Sequence, residues 1–337
     1  MSSLADHRRA TADESADAAG SPREVDVLVI GESLVDIVHR DGGVVERPGG
    51  SPANVALGLG RLGVDVALLT ELGRDAHGDR VAAHLVGSGV RLLPESFSTR
   101  PTSTASASIG PDGSATYLFD LHWRPTAIPP RLRPRIVHAG SVALFLEPGA
   151  DAVRDAIEAA ARERALVSLD PNVRPALLPP RAAAVARFEE LVRFADVVKL
   201  SDEDAAWLYP DEPASDVLDR LLDHGVRLAV VTRGGEGAVL ATRAHRVAVP
   251  TRPVDVRDTI GAGDSFTAAL LAGLLPEGAI PADAEAVRRL GRRAAQAAAI
   301  TVGRVGADLP TAAELDGALR AHIVSTCTTA CMGTVAY

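Results

Sequence analysis

Lysine is nearly absent from this chain: among 35 basic side chains in 337 residues, Lys199 is the single lysine. A phosphate loop of the GxxxxGK(S/T) type does not occur, so any nucleotide must be held without a P-loop lysine. Aromatic residues make up 3% of the chain, too few for the base-stacking platforms of single-strand nucleic-acid binders. Acidic side chains outnumber basic ones, 35 − 44 = −9, which also argues against nucleic acid or an anionic membrane as partner. No segment approaches the roughly 20 consecutive apolar residues of a bilayer span. The two cysteines, Cys327 and Cys331, have no further ligands of metal-site spacing around them and read as incidental thiols of a cytoplasmic protein.

What is present is a chain with 47% hydrophobic residues, enough for a sizeable core in one large α/β domain or two smaller ones. Residues 1–24 are rich in Ala, Asp, Ser and Arg without an apolar signal core, and read as a disordered N-terminal extension. Residues 25–324 read as one domain and 325–337 as a C-terminal tail. Val25–Ile30 is a short apolar run ending at a glycine, suited to a buried parallel strand. Ile136–Ala139, Leu166–Asp170, Val197–Leu200 and Leu228–Thr232 repeat that pattern, separated by Ala-rich helical stretches such as Ala152–Ala161 and Ala183–Phe194. This alternation predicts a doubly wound, mostly parallel sheet. Two polar hairpins, around Asp41-Gly42-Gly43 and Pro111-Asp112-Gly113, do not fit the alternation. They predict a small β lid built from about 37–48 and 102–122.

Two glycine loops carry the chemistry. Pro48-Gly49-Gly50-Ser51-Pro52-Ala53-Asn54 precedes a helix, with glycines that let a ligand approach the backbone and an amide, Asn54, that both donates and accepts. On its own the segment reads equally well as a plain loop and cap. Asp258-Thr259-Ile260-Gly261-Ala262-Gly263-Asp264 also precedes an apolar helix. Its consecutive N–H groups at a helix N-terminus attract phosphate, and Asp264 stands where the helix dipole favours an ionised carboxylate. A carboxylate there can take a hydroxyl proton during phosphoryl transfer, or it can be a simple helix cap. Gly58, Gly60 and Gly63 match the dinucleotide fingerprint GxGxxG, but they end a helix and precede a strand, the reverse of the required order.

Together these motifs resemble the ribokinase-like (PfkB-type) carbohydrate kinases, from about Val25 to Pro310 and in family order. The glycine loop with Asn54 resembles the first signature and Asp258–Asp264 the second. Gly73-Arg74-Asp75-Ala76-His77-Gly78 resembles the family's G-x-D-x-x-G segment, and Asp170-Pro171-Asn172-Val173-Arg174 its D-x-N-x-R strand end. The resemblance implies an α/β sheet with a β lid, and ATP-dependent transfer of a phosphoryl group to a sugar hydroxyl. Asp264 would be the base, and the N–H groups of Gly261, Ala262 and Gly263 the anion hole. Asp36, Gly49, Gly50 and Asn54 would hold the sugar, and Arg174 would face phosphate. Ser201, Thr232, Gly234 and Gly237, with Gly261 and Gly263, would contact the nucleotide.

The family's water-mediated magnesium acid maps to Asp204, with Ser201 where an amide is usual. A monovalent-cation loop, occupied by potassium in many members, maps to Asp258, Ile260, Thr301, Arg304 and Gly306, with Pro310 where several members have a serine. A homodimer joined through lid strands is a further implication. Asp112–Phe119, His138–Ala143 and Ser168–Pro175 look most like bacterial fructokinases. Asp120-Leu121-His122-Trp123 departs from that subgroup, and Tyr117, Phe119 and Trp123 are candidates to contact a different sugar. Fructose is favoured, with 2-keto-3-deoxygluconate, ribose or a nucleoside as alternatives, and a non-catalytic sugar or nucleotide sensor as a reading from another class.

Overall fold

The computed structural model describes residues 23–40, 43–109, 115–125 and 132–321. The N-terminal extension up to residue 22, both lid hairpin tips, and the tail with Cys327 and Cys331 lie outside the described residues. The first strand, β1 (Arg23–Ile30), shows how the sequence builds the layers. Successive side chains of a strand point to opposite faces. Leu28 and Ile30 accordingly enter one core, and Val27 and Val29 enter the other. A strand apolar on both faces needs helices on both sides, and the chain supplies them.

The lid hairpin β2 (Leu34–Arg40) and β3 (Gly43–Gly49) follows directly. Next come α1 (Ser51–Arg61), β4 (Val66–Leu69), β5 (Leu72–Gly73), α2 (Ala76–Val86), β6 (Val90–Leu92) and β7 (Phe97–Ser98). The second hairpin is β8 (Thr104–Ile109) and β9 (Ala115–Asp120). Regular alternation then sets in with β10 (Leu132–Gly140), α3 (Gly149–Arg162), β11 (Leu166–Asp170), α4 (Arg181–Val192) and β12 (Val197–Ser201). It continues through α5 (Asp202–Leu208), α6 (Ala214–Asp223) and β13 (Leu228–Thr232). The pair β14 (Ala238–Ala241) and β15 (Arg246–Val249) precedes α7 (Ala262–Leu274) and α8 (Ala284–Val302), and a last helix α9 spans 312–321.

The main sheet runs β15-β14-β13-β12-β11-β10-β1-β4-β6 and is parallel from β13 to β6, with β14 and β15 antiparallel at one edge. Successive strands after β1 step to one side and those after β10 to the other. The order reverses between β1 and β10, where open α/β sheets bind ligands at the carboxyl ends of the strands. Val153, Ile157, Phe188 and Val217 pack one face, and Val55, Leu59, Leu270 and Leu290 the other. The two hairpins merge into one four-stranded lid, β3-β2-β8-β9, in which β2 and β8 run parallel.

Asp75 of the G-x-D-x-x-G segment ties the lid to this body. It accepts from the Gly78 N–H that it caps and from the backbone and hydroxyl of Thr102, each at 2.8 Å, just before β8. Gly58 and Gly60 sit inside α1 as packing positions. A Cβ on Gly58 would stand 2.6 Å from a Leu309 methyl, and one on Gly60 2.3 Å from the Ser88 carbonyl. Among the described residues no helix is long and apolar enough to cross a membrane.

Candidate active site

Gly261 caps the N-terminus of helix α7 with a φ of 77° that a side chain would strain. Ala307 lies so close that a Cβ on Gly261 would approach its methyl to 2.8 Å. The first turn of a helix has no intrahelical acceptor for its N–H groups. Ala262 directs its own N–H to the Thr259 carbonyl at 3.2 Å, so the expected three-residue hole loses that donor to the turn. Gly261, Gly263 and Asp264 carry the N–H groups for which no acceptor is found among the described residues. Asp264, 8% exposed, is held at this helix end by Ser51 Oγ at 2.7 Å and Asn54 Nδ2 at 2.8 Å. Burial lifts its carboxyl above the usual Asp range; the Ser51 and Asn54 donors and the Lys199 charge work against that rise. The helix dipole alone predicted an ordinary ionised acid; desolvation makes it a more basic one.

The first glycine loop supplies those donors because its glycines let chain segments meet. Gly50, with φ 101°, packs where a Cβ would lie 2.6 Å from the Glu32 carbonyl. A Cβ on Gly49 would stand 2.2 Å from Asp36 Oδ2. Gly49 thus leaves room for the Asp36 carboxylate, which β2 presents beside the loop half-buried, its pKa raised by that burial. Asp36, Gly49, Gly50, Asn54 and Asp264 are therefore brought to one end of the sheet.

Beneath them lies a buried polar layer. Lys199 on β12 pairs with Asp170 on β11, Nζ to Oδ2 2.8 Å, and Thr267 of α7 donates to the same oxygen at 3.1 Å. His138 on β10 meets Ser168 on β11 at 3.1 Å, and burial together with Lys199 pushes its pKa down to about 3, leaving a neutral ring. Glu32, after β1, is buried with Oε2 unpartnered, and burial raises its pKa to about 7.

A carboxylate at a phosphate-attracting helix end, with a second acid and paired glycines across the cleft, is an arrangement for moving a proton from a polyol toward an anion. The family comparison agrees: residues 25–314 match the model of the pfkB family carbohydrate kinases. The chain belongs to that family. It is 34% identical over 260 residues to a fructokinase of Rhizobium leguminosarum bv. trifolii, covering 74% of this chain and 79% of that one. A crystal structure of the Xylella fastidiosa fructokinase with bound ATP superposes with a TM-score of 0.74 at 27% identity, over 88% of this chain and 98% of that one. The Salmonella enterica aminoimidazole riboside kinase, complexed with its riboside and an ATP analogue, gives 0.75 at 25% identity, over 88% and 100%.

In this carbohydrate kinase the other expected positions divide. Ser201 and Thr232 are register partners at the carboxyl ends of β12 and β13, and Gly234 and Gly237, both with positive φ, shape the turn that follows. Arg174 stands apart: it is exposed and its guanidinium folds back onto the Val173 carbonyl at 3.0 Å. Asp204 closes a capping box with Ser201 and accepts the Val173 N–H at 2.7 Å and the Ser201 N–H at 2.8 Å. Both of its oxygens thus accept from the backbone, holding Asp204 as a first-turn cap.

In the second loop, Asp258 accepts from Ile260 N at 3.0 Å and Gly306 N at 2.8 Å, joining two strips of the expected cation loop. The Thr301 and Gly306 carbonyls, however, accept from Arg304 N and Asp308 N. The Arg304 guanidinium leaves the loop for Asp308 and Glu314. Arg47 of the lid lies against Gly306 with its own positive charge. Arg47 thus brings positive charge to one side of the loop, while the Asp258 and Ile260 carbonyls accept no hydrogen bond among the described residues. Trp123 differs from expectation as well: it is core, 2% exposed, its ring N–H donating to the Ala143 carbonyl at 3.2 Å. The Tyr117 side chain lies outside the described residues.

The reading of motifs missed Ser51, Glu32 and the Lys199–Asp170 pair. One signal for the last was present in the sequence. A lone charge inside the apolar strand Val197–Leu200 has to find a buried partner.

Proposed function

We propose that this carbohydrate kinase phosphorylates fructose, taking the γ-phosphoryl group from ATP. The observation that carries the reading is Asp264, a buried carboxylate with a raised pKa, set by Ser51 and Asn54 at the N-terminus of α7. Asp36 orients the sugar, and Asp264 takes the proton of the attacking hydroxyl. The N–H groups of Gly261 and Gly263 receive charge on the transferring group. Ser201, Thr232 and the Gly234–Gly237 turn bound the nucleotide end. The lid excludes water, which strengthens each of these interactions.

Magnesium would come chiefly on the nucleotide phosphates, since it keeps much of its water and needs few protein ligands, and it would neutralise phosphate charge. Asp204 is assigned no direct bond to it, and potassium is assigned no step. Fructose is favoured by the fructokinase relative, and because Trp123, the main departure from that pattern, is taken up by the core. Exposed Val44 and Val45 on β3 and Leu118 on β9 support a second copy of the chain as lid partner, in the cytoplasm. The test is ADP release with fructose, ribose, 2-keto-3-deoxygluconate and nucleosides. Fructose should give the highest kcat/KM, and turnover confined to a riboside would overturn that choice. Binding without ADP release would make the protein a sensor.

A further inference from the structure

The one lysine of the chain lies buried directly behind the anion-binding turn. Its exposure is 4%, on a strand whose neighbours Val197, Val198 and Leu200 are all core. Nζ pairs with Asp170 Oδ2 at 2.8 Å, and Thr267 in the second turn of α7 shares that oxygen. This triangle joins the end of β11 and the middle of β12 to the second turn of α7. A Cβ on Gly263 would stand 3.1 Å from the ammonium. Position 263 therefore lets the backbone of the turn come down onto a positive charge.

We propose that Lys199 is a positioning residue for phosphoryl transfer. Its ammonium, clamped by Asp170, sets the height of the Gly261–Asp264 turn and supplies from beneath it the positive charge that a P-loop lysine supplies from within the loop. It touches neither sugar nor phosphate; it acts through the turn and through Asp264. The inference rests on the kinase reading above.

The charges around Asp264 make the idea testable. Asp170 faces it from β11 and Lys199 from β12; Asp204 on α5 faces Lys199; Glu32 faces Asp264 from the loop after β1. His138 on β10 faces Lys199 but is neutral above about pH 3. Helix α1 contributes only the uncharged Ser51 and Asn54. Burial works against the Lys199 ammonium, yet the carboxylates, Asp170 first, outweigh it and raise its pKa, so the charge persists throughout the working range.

The experiment is the pH profile of kcat/KM for fructose in wild type, Lys199→Met and Asp170→Asn, each checked for folding by circular dichroism. Without the ammonium the Asp264 carboxylate is less favoured. The acid limb of Lys199→Met should move up by about one pH unit, kcat should fall at least about tenfold, and fructose KM should stay within about threefold. Asp170→Asn keeps the ammonium and removes a like charge, so its acid limb should move down. If Lys199→Met does not fold, the double variant Lys199→Met/Asp170→Asn, which leaves no unpaired buried charge, takes its place, and its acid limb should lie above that of Asp170→Asn alone. An acid limb unmoved in whichever variants fold, even with lower turnover, would reduce Lys199 to a structural ion pair and overturn the proposal. Asp264→Asn separates the two readings: if it turns over normally the base assignment fails, whereas an inactive Asp264→Asn beside an unaltered Lys199→Met defeats only this inference.

Discussion

Asn54 Nδ2 donates to Asp264 Oδ2 across 2.8 Å, joining residues 210 positions apart and fastening the first glycine loop to the second. The carboxylate oxygens are thereby aimed before any substrate arrives, and Ser51 holds the other one. Pre-aligned groups of this kind lower the cost of reaching the reactive geometry.

Replacing Asp264 by Asn keeps the shape and removes the base. Turnover is expected to fall by about a hundredfold or more, while fructose binding by calorimetry changes little, because Asp36 and the glycine loop remain. Near-normal turnover would exclude Asp264 as the proton acceptor.

Ser51→Ala deletes one of the two donors that stabilise the ionised form of Asp264. The carboxyl should become harder to ionise, so the acid limb of kcat/KM moves to higher pH. Loss of one hydrogen bond to a charged group corresponds to about 1.5–3 kcal/mol, the upper bound on that shift. An unchanged limb would mean that Asn54 alone sets the acidity.

Gly49→Ala should cost substrate affinity more than fold. The new methyl would stand 2.2 Å from Asp36 Oδ2, so the carboxylate must turn away from the sugar. Fructose KM is expected to rise about tenfold or more with the thermal midpoint little altered. A KM equal to wild type would show that Asp36 does not hold the sugar.

Glu32 gives stability its own pH dependence. Its pKa rises from 4.5 unfolded to about 7 folded, so the folded state binds the proton more tightly. The stability it contributes is complete below about pH 4.5 and is lost as pH rises through about 7, on the order of 3 kcal/mol in total. Denaturant unfolding of Glu32→Gln from pH 5 to 8 should lack that component of the slope. If wild type and variant have parallel curves, Glu32 does not carry it.

Much of the architecture was legible because short apolar strands between Ala-rich helices admit few arrangements other than a covered parallel sheet. Leu166–Asp170 and Leu228–Thr232 lie where the pattern placed them. The short edge strand Val90–Leu92 and the helices Asp202–Leu208 and Ala214–Asp223 were not read. Three residues carry too little periodicity, and acidic helix starts resemble loops. Asp204 shows a different limit. Its position in a motif suggested a water-mediated magnesium acid, and spacing does not reveal that Val173, 31 residues earlier, also brings an N–H to it.

Composition and motif order by themselves determined the fold class, the absence of a P-loop and the two glycine loops, because these depend on local backbone freedom and apolar pattern. Which groups face one another was decided only by tertiary structure. The basicity of Asp264, the burial of Trp123 and the place of Lys199 depend on desolvation and on partners from distant strands. Neither quantity exists until the sheet has closed around them.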